Sequence, residues 1–271
     1  MANLLYATDF SESSQNAFRF VKSMVQKYPM KVNFIHIFDI PIPTTTTLAT
    51  NAVAGMIKER EDAIRKNLED LRDELPEANR GEIFAIYGTY PSTEIAEKAT
   101  ETDSMLIVMA LRQRYSFLER LIGTTTAHTI QKSSVPVLAI PSGMPFREFE
   151  SILFPTELTI GEDLHDKELK ALKWLQDFVG MVEQPDIHLI HISPDRDRVT
   201  TTIKDEPFPG MEFTVTAANS IEEGILNFLD QNSMDLIAIY KPNRSFWERL
   251  YHSSTTRKLL EQKKAPLLVF S

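Results

Sequence analysis

The chain has 271 residues, a net charge of −9, and apolar and charged fractions of 42% and 25% that are ordinary for a globular protein. This length predicts two domains of typical size, and the acidic balance argues against nucleic-acid or anionic-membrane binding. Because the sequence has no cysteine, disulfides, thiolate chemistry and cysteine-ligated metals are excluded. The sequence has no signal-peptide pattern and no apolar run of roughly 18 residues, so we expect a cytoplasmic protein.

The first half alternates short apolar runs with helical patterns. Five such runs predict buried strands: Leu4–Ala7, Val32–Phe38, Ile83–Tyr87, Met105–Ala110 and Val135–Ile140. Asp9 or Ser11 is expected to cap the first helix. The longest helical pattern runs from Ala52 to about Leu75, with Met56 among the apolar residues of its stripe. Strands that alternate with helices indicate parallel βαβ units with helices on both faces of a sheet.

The second half repeats the first. The sequence of Phe246–Leu250 is nearly identical to that of Phe117–Leu121, and Ser151–Glu157 matches Asn3–Asp9. Turn residues from Pro141 to Pro145 mark the expected boundary. We therefore predict two α/β domains, residues 1–144 and 145–271, each with an open, mostly parallel, five-stranded sheet.

One element is expected to be missing from the second domain. Between Ile192 and Met211 there is neither room nor periodicity for the long second helix, and Arg198–Ile203 is expected to be extended. One side of the second sheet would then need another cover, and a β-hairpin and a partner surface are the alternatives.

Several short pieces, in order and repeated, carry a family resemblance: Ala7–Ser11, Phe34–Ile37, Leu106–Met109 and Gly123-Thr124 leading to Ser134–Leu138. Over essentially its whole length the chain resembles the universal stress protein family in its tandem two-domain form. The resemblance implies a flavodoxin-like or Rossmann-like fold in each half. It also implies that Val135–Ile140 and Leu267–Phe270, the last strands, meet in an internal pseudo-dimer.

Some members of that family bind ATP through Gly, two residues, Gly, nine residues, then Gly-Ser or Gly-Thr. Here the first two glycines fall on Ala110 and Gln113, and only the end is kept. The resemblance assigns these residues to the site: Ala7, Thr8, Asp9, Ile37, Ala110, Gln113, Gly123, Thr124 and Thr125. Tyr240 and Asn243 replace the glycines in the second domain, whose weaker counterpart site comprises Glu157, Asn243, Ser253 and Ser254.

The lost glycines predict a degenerate nucleotide site. Glycine lets the backbone approach phosphate, whereas a side chain strains such a position by roughly 1–2 kcal/mol. Losing one or two contacts to a charged group costs on the order of ten- to a thousandfold in affinity. We expect no resident cofactor, and ATP is the alternative ligand.

Hydroxyl groups remain at the two predicted helix starts, Gly123–Thr126 and Ser253–Thr256. Together with free N–H groups they form a cradle suited to an anion. Alternatively, Thr124 or Thr125 and their counterparts simply cap the helices. Both interpretations stay open.

Other candidate residues are interpreted as structural. His188 and His191 lie three apart on a strand and point to opposite faces, so they cannot chelate one metal ion. His36, in the matching strand, is also expected to be structural. Glu168 and Glu183 are expected on a solvated helix face. The sequence contains no motif of a known catalytic or metal site.

Two functional hypotheses follow from the resemblance. The first is a non-catalytic, stress-linked binding or adaptor protein that senses a small anionic ligand. The second is a nucleotide-binding switch or weak ATPase that uses Asp9, Gly123 and Thr124. Partners beyond the internal domain pair would be a second copy of the chain or an unidentified protein.

Overall fold

The computed structural model describes residues 1–40, 50–111, 124–156, 166–181, 185–193, 211–219, 221–240 and 265–270. The elements before residue 142 are β1 Ala2–Ala7, α1 Glu12–Lys27, β2 Met30–Phe38, α2 Thr50–Asp73, β3 Arg80–Tyr87, α3 Pro91–Glu101, β4 Ser104–Leu111, α4 Thr124–Lys132 and β5 Val137–Pro141. Those after residue 150 are β6 Ser151–Thr156, α5 Asp166–Val179, β7 Asp186–Ser193, β8 Met211–Ala217, α6 Ile221–Gln231, β9 Leu236–Tyr240 and β10 Leu267–Phe270.

The strands of the described residues form one ten-stranded sheet in the order β3-β2-β1-β4-β5-β10-β9-β6-β7-β8. Neighbours are parallel within β1–β5 and within β6–β10, and the two sets have the same internal strand order. Helices cover both faces of this sheet. The predicted α/β class with a mostly parallel sheet is confirmed.

The two sets of strands join through one antiparallel contact. β5 pairs with β10, and Leu138 lies opposite Leu268. The last strands of the two halves, which were expected to meet, are therefore hydrogen-bonded neighbours. The two expected five-stranded sheets are continuous with one another.

Alternating side chains on each strand supply two hydrophobic cores. Leu4 and Tyr6 belong to the core under α1, α2 and α5, whereas Leu5 and Ala7 belong to the core under α3, α4 and α6. This alternation follows from the two-residue period of a strand. It explains why the strands read as unbroken apolar runs.

Aromatic rings cross the junction between the two halves. We call them the aromatic seam: Phe20, Tyr28, Phe146, Phe149, Trp174, Phe178 and Phe270. Phe149, in the segment that connects β5 to β6, is 2% exposed. Its ring centroid lies 5.7 Å from that of Tyr28 in α1's C-cap and 6.2 Å from that of Phe178 in α5. The connecting segment thus packs into the junction.

Helix α2 differs from its sequence pattern. Ile64 and Leu68 are buried as expected, but Met56 is 45% exposed, so its placement in the buried stripe was wrong. The 24 residues of α2 span about 36 Å at 1.5 Å per residue. The nine residues of β2 span only about 30 Å. The N-terminal turns of α2 lie beside less of the sheet, and most of their residues are exposed.

Some predicted features lie outside the described residues. They include most of the Ile192–Met211 interval, with its missing helix and extended Arg198–Ile203, and the repeated aromatic segments near Phe117 and Phe246. Helix α6 was not among the predicted helices, although its apolar residues recur at helical spacing. Among the helices that the structure describes, none combines the length and the apolarity needed to cross a membrane.

Candidate ligand-binding site

The carboxyl ends of β2, β1 and β4 meet at one edge of the sheet. Ala7 lies beside Ile35 of β2 and Met109 of β4. Beyond β1 and β4 the chain crosses over in opposite directions, through α1 on one face and towards α4 on the other. Such a switch point in an open α/β sheet leaves a crevice where ligands bind. We call it the first-half crevice.

Five of the predicted site residues lie at this edge: Ala7, Thr8, Asp9, Ile37 and Ala110. Their side chains do not share one face. Ala7 and Ile37 pack against the core beneath α3 and α4, whereas Ala110 packs against the core beneath α1. Thr8 is buried and Asp9 is exposed. The fold therefore assembles these residues around the edge of the sheet.

The turn after β1 is organised by short side chains. Ser11 is the N-cap of α1, and its Oγ accepts from the N–H of Ser14 at 3.3 Å. Of the two expected caps, the structure thus selects Ser11. Asp9 instead accepts from the N–H of Ser11 through Oδ1, at 3.0 Å. This bond orients the exposed carboxylate at the mouth of the crevice.

Buried hydroxyl groups form the floor beneath this turn. Thr8 Oγ1 donates to Ser14 Oγ at 3.1 Å and accepts from the N–H of Phe10 at 3.0 Å. The hydroxyl of Tyr6 donates to the carbonyl oxygen of Ser14 at 2.5 Å. Burial raises the pKa of Tyr6 well above its ordinary value, so its phenol stays protonated. Floor and helix start are therefore one hydrogen-bonded unit.

His36 connects β2 to the same turn. Its Nδ1 lies 2.7 Å from the carbonyl oxygen of Thr8. A carbonyl oxygen only accepts, so Nδ1 carries the proton in this bond. Burial lowers the pKa of His36, which favours the neutral ring. His36 was expected to be structural, and its bond to a site residue was not predicted.

The end of β4 is tied to the start of α4. The buried hydroxyl of Thr126 donates to the carbonyl oxygen of Ala110 at 3.1 Å. Thr124 and Thr125 are the first two residues of α4, so the position before the helix is Gly123. Gly123 and Gln113 lie outside the described residues, and the two interpretations of this helix start stay predictions. Thr126 belongs to the predicted hydroxyl cradle at Gly123–Thr126 but was not assigned to the nucleotide site.

The second half carries different chemistry at the corresponding edge. Thr156, the counterpart of Thr8, donates through its hydroxyl to the carboxylate of Glu168 at 3.1 Å. Glu168 is only 5% exposed, so its placement on a solvated helix face was wrong. The Thr156 bond compensates part of the cost of burying that carboxylate. Tyr240, the counterpart of Ala110, packs against the core.

The rest of the predicted second-half site lies outside the described residues, namely Glu157, Asn243, Ser253 and Ser254. Glu183 lies there too. His188 points towards α6, where its ring centroid is 6.0 Å from that of Phe228, while His191 points to the other face. In the part of the chain that the structure describes, no three His, Asp or Glu side chains converge on a metal-sized site.

Comparison with known proteins agrees with this architecture. A universal stress protein of Methanocaldococcus jannaschii is 27% identical over 151 residues, which cover 51% of this chain and 93% of that protein. A universal stress protein of Archaeoglobus fulgidus has a similar fold, with a TM-score of 0.67 and 15% identity over 99% of this chain and 96% of that one. A functionally unknown protein of Pseudomonas aeruginosa aligns with a TM-score of 0.56 and 11% identity over 100% and 92% of the two chains.

The two structural likenesses extend over nearly the whole chain, and at these identities they concern the fold alone. Membership rests on the sequence. The sequence model described as the universal stress protein family matches residues 1–141, which are more than half of the 271 residues. This chain belongs to the universal stress protein family.

Proposed function

We propose that this chain is a non-catalytic binding protein of the stress-response type, whose first-half crevice takes a small anionic ligand and binds ATP only weakly. The proposal rests on the carboxyl end of β4, where the backbone is substituted and already hydrogen-bonded. Ala110 stands at the first glycine position of the nucleotide-binding pattern, its side chain packs against the core, and its carbonyl oxygen is held by Thr126. A fixed, substituted backbone at this point cannot approach a phosphate as glycine does.

We propose that the corresponding edge of the second half, at the carboxyl ends of β7, β6 and β9, does not bind nucleotides. Glu168 places a buried carboxyl group beneath it, and a polyphosphate would be repelled by that group in its ionised form. Tyr240 puts a large side chain where the pattern has its first glycine. Any anionic ligand is therefore assigned to the first half.

We also propose that residues 1–144 and 145–271 form an internal pseudo-dimer. The antiparallel β5–β10 contact, the matching strand orders and the aromatic seam support this arrangement. A second copy of the chain or another protein would then bind a surface other than the β5–β10 junction.

The ligand proposal is tested by restoring the two glycines of the nucleotide-binding pattern. Purified protein is titrated with a fluorescent ATP analogue and Mg²⁺, and unlabelled ATP is used as competitor. Wild type should bind only in the range from about 100 μM to 1 mM, and Ala110→Gly/Gln113→Gly should bind at least tenfold more tightly, because each regained contact to a charged group is worth about tenfold or more. The matched control is Tyr240→Gly/Asn243→Gly, which makes the same exchanges in the second half and should gain nothing.

Two results would contradict the proposal: saturable low-micromolar binding by the wild type, or no gain from the two glycines. The alternative function, a nucleotide-gated switch or weak ATPase, is favoured by the exposed carboxylate of Asp9 at the crevice mouth. It predicts metal-dependent phosphate release that Asp9→Asn abolishes. Mass spectrometry of small molecules released from the purified protein would reveal a nucleotide that co-purifies.

A further inference from the structure

The turn that precedes α1 holds a bulky residue in an unfavourable backbone conformation. Phe10 has a φ of 59°, in the left-handed region that side chains rarely adopt. Such a conformation persists only where surrounding contacts determine it. Within the turn, the N–H of Phe10 donates to Thr8 Oγ1 at 3.0 Å. This bond is local. From α1, Gln15 Nε2 donates to the Phe10 carbonyl at 3.4 Å, and the N–H of Thr8 donates to the Ile35 carbonyl of β2 at 3.0 Å.

His36 adds two side-chain contacts from β2. Its Nδ1–H donates to the Thr8 carbonyl at 2.7 Å, and its ring lies against the Phe10 ring with centroids 4.7 Å apart and planes 39° apart. One imidazole therefore holds both ends of the Thr8–Phe10 segment. Asp9 lies between those two ends and is fixed from the other side by the N–H of Ser11.

The corresponding histidine of the second half makes no such bond to a described residue. His191 occupies the position of His36, in register with Thr156 on the neighbouring strand. Its Nδ1 is buried, yet it has no hydrogen-bond partner among the residues that the structure describes. Among the described residues, the hydrogen bond from the histidine of the second strand to the Thr carbonyl at the end of the first strand is thus present in the first half and absent from the second.

We propose that His36 is a positioning residue of the first-half crevice, which sets the Thr8–Phe10 turn and thereby the carboxylate of Asp9 for the ligand. This inference rests on the proposed function, since it concerns the same crevice. It distinguishes the two histidines in a way that the loss of glycines does not, because His36 bonds to Thr8 whereas His191 has no partner among the described residues. Ligand affinity in the first half should therefore depend on whether residue 36 places an N–H donor where His36 has Nδ1.

The test compares two substitutions that differ in where they keep an N–H group. The amide of Asn lies near the position of Nδ1, whereas that of Gln reaches towards Nε2. Binding of Mg²⁺-ATP is measured in the Ala110→Gly/Gln113→Gly background, where affinity is high enough to follow a loss. His36→Gln should weaken binding by about tenfold, the usual effect of one lost hydrogen bond, and His36→Asn by less than about threefold. His191→Gln is the matched control and should leave affinity unchanged.

Amide hydrogen exchange at Phe10 and Ser11 tests the positioning role without any ligand. Exchange at both amides should accelerate by about tenfold in His36→Gln and stay near the wild-type rate in His36→Asn. If no variant binds ATP but the exchange pattern holds, the proposed function fails and the positioning of the turn stands. If Gln and Asn behave alike in exchange, or if His191→Gln weakens binding as much as His36→Gln, the proposal is overturned.

Discussion

Single side chains determine the chemistry of the crevice because they form hydrogen bonds with its backbone groups. Thr126 satisfies the carbonyl of Ala110, Ser11 caps α1, and His36 holds the carbonyl of Thr8. Each bond satisfies a backbone group at an edge where strands end and ladder bonds stop. These backbone groups are therefore hydrogen-bonded within the chain, without a ligand.

The buried, neutral state of His36 predicts a pH dependence of stability. Burial lowers the pKa of His36 in the folded protein below its value of about 6.5 in the unfolded chain. Its contribution is therefore fully present above pH 6.5, roughly, and is lost as pH falls through the folded pKa, because the unfolded chain takes up the proton first. Asp9 opposes this shift and Arg60 adds to it.

Urea unfolding at about pH 7.5 and about pH 5.5 measures this contribution, since the two values bracket the unfolded pKa. His36→Asn should lose less stability between them than wild type does. His128→Gln, which alters an exposed residue of α4, should follow the wild-type profile. Parallel profiles for wild type and His36→Asn would show that His36 does not contribute.

Within the elements, burial is uneven along a single helix. Leu68 is fully buried against the sheet, whereas Met56, three turns earlier in α2, is 45% exposed. The buried side chains among the described ones of α2 begin at Ile64, and Met56 lies in the part of the helix before them. The sequence pattern alone assigns both residues to one apolar stripe.

Leu68→Ala should reduce the free energy of unfolding by about 2–5 kcal/mol, because it removes buried methyl groups and leaves a cavity. Met56→Ala should change it by less than about 0.5 kcal/mol, as for a surface site. Chemical denaturation followed by circular dichroism measures both. Similar losses from the two substitutions would mean that Met56 is buried in solution.

The sequence pattern predicted the strands well, since Leu4–Ala7 and Met105–Ala110 are apolar on both faces and only a strand covered on both sides suits them. It could not predict the burial of Glu168, whose carboxylate accepts from Thr156, twelve residues earlier in the sequence. Nor could it predict the His36 bond, which depends on the register between β1 and β2. The spacing of apolar residues predicts which segments are strands and which are helices. These side-chain contacts, in contrast, form only when the elements pack together, so local spacing does not reveal them.

At the scale of the whole molecule, the aromatic seam joins the halves. Phe149 stacks on Tyr28 from the first half, and its ring lies near that of Phe178 from the second. Both tryptophans of the chain, Trp174 and Trp247, follow residue 150. Tryptophan fluorescence therefore reports on the second half, while circular dichroism reports on both.

In the wild type the two signals should give the same unfolding midpoint, as expected of one cooperative unit. Phe149→Ala should cost about 3–5 kcal/mol and should also separate the two midpoints, because it weakens the contact between the halves. Phe228→Ala removes a ring of α6 outside the seam and should destabilise without separating them. Coincident midpoints in Phe149→Ala would show that the seam does not couple the halves.

The single antiparallel contact at the centre of the sheet also fixes the directions in which the molecule faces. Since β1–β5 run opposite to β6–β10, the carboxyl ends of the first set and those of the second lie on opposite rims. A bulky molecule docked over Asp9 would leave the far rim, above Thr156, unobstructed. The carboxyl ends of the two sets of strands are thus approached from opposite sides of the sheet.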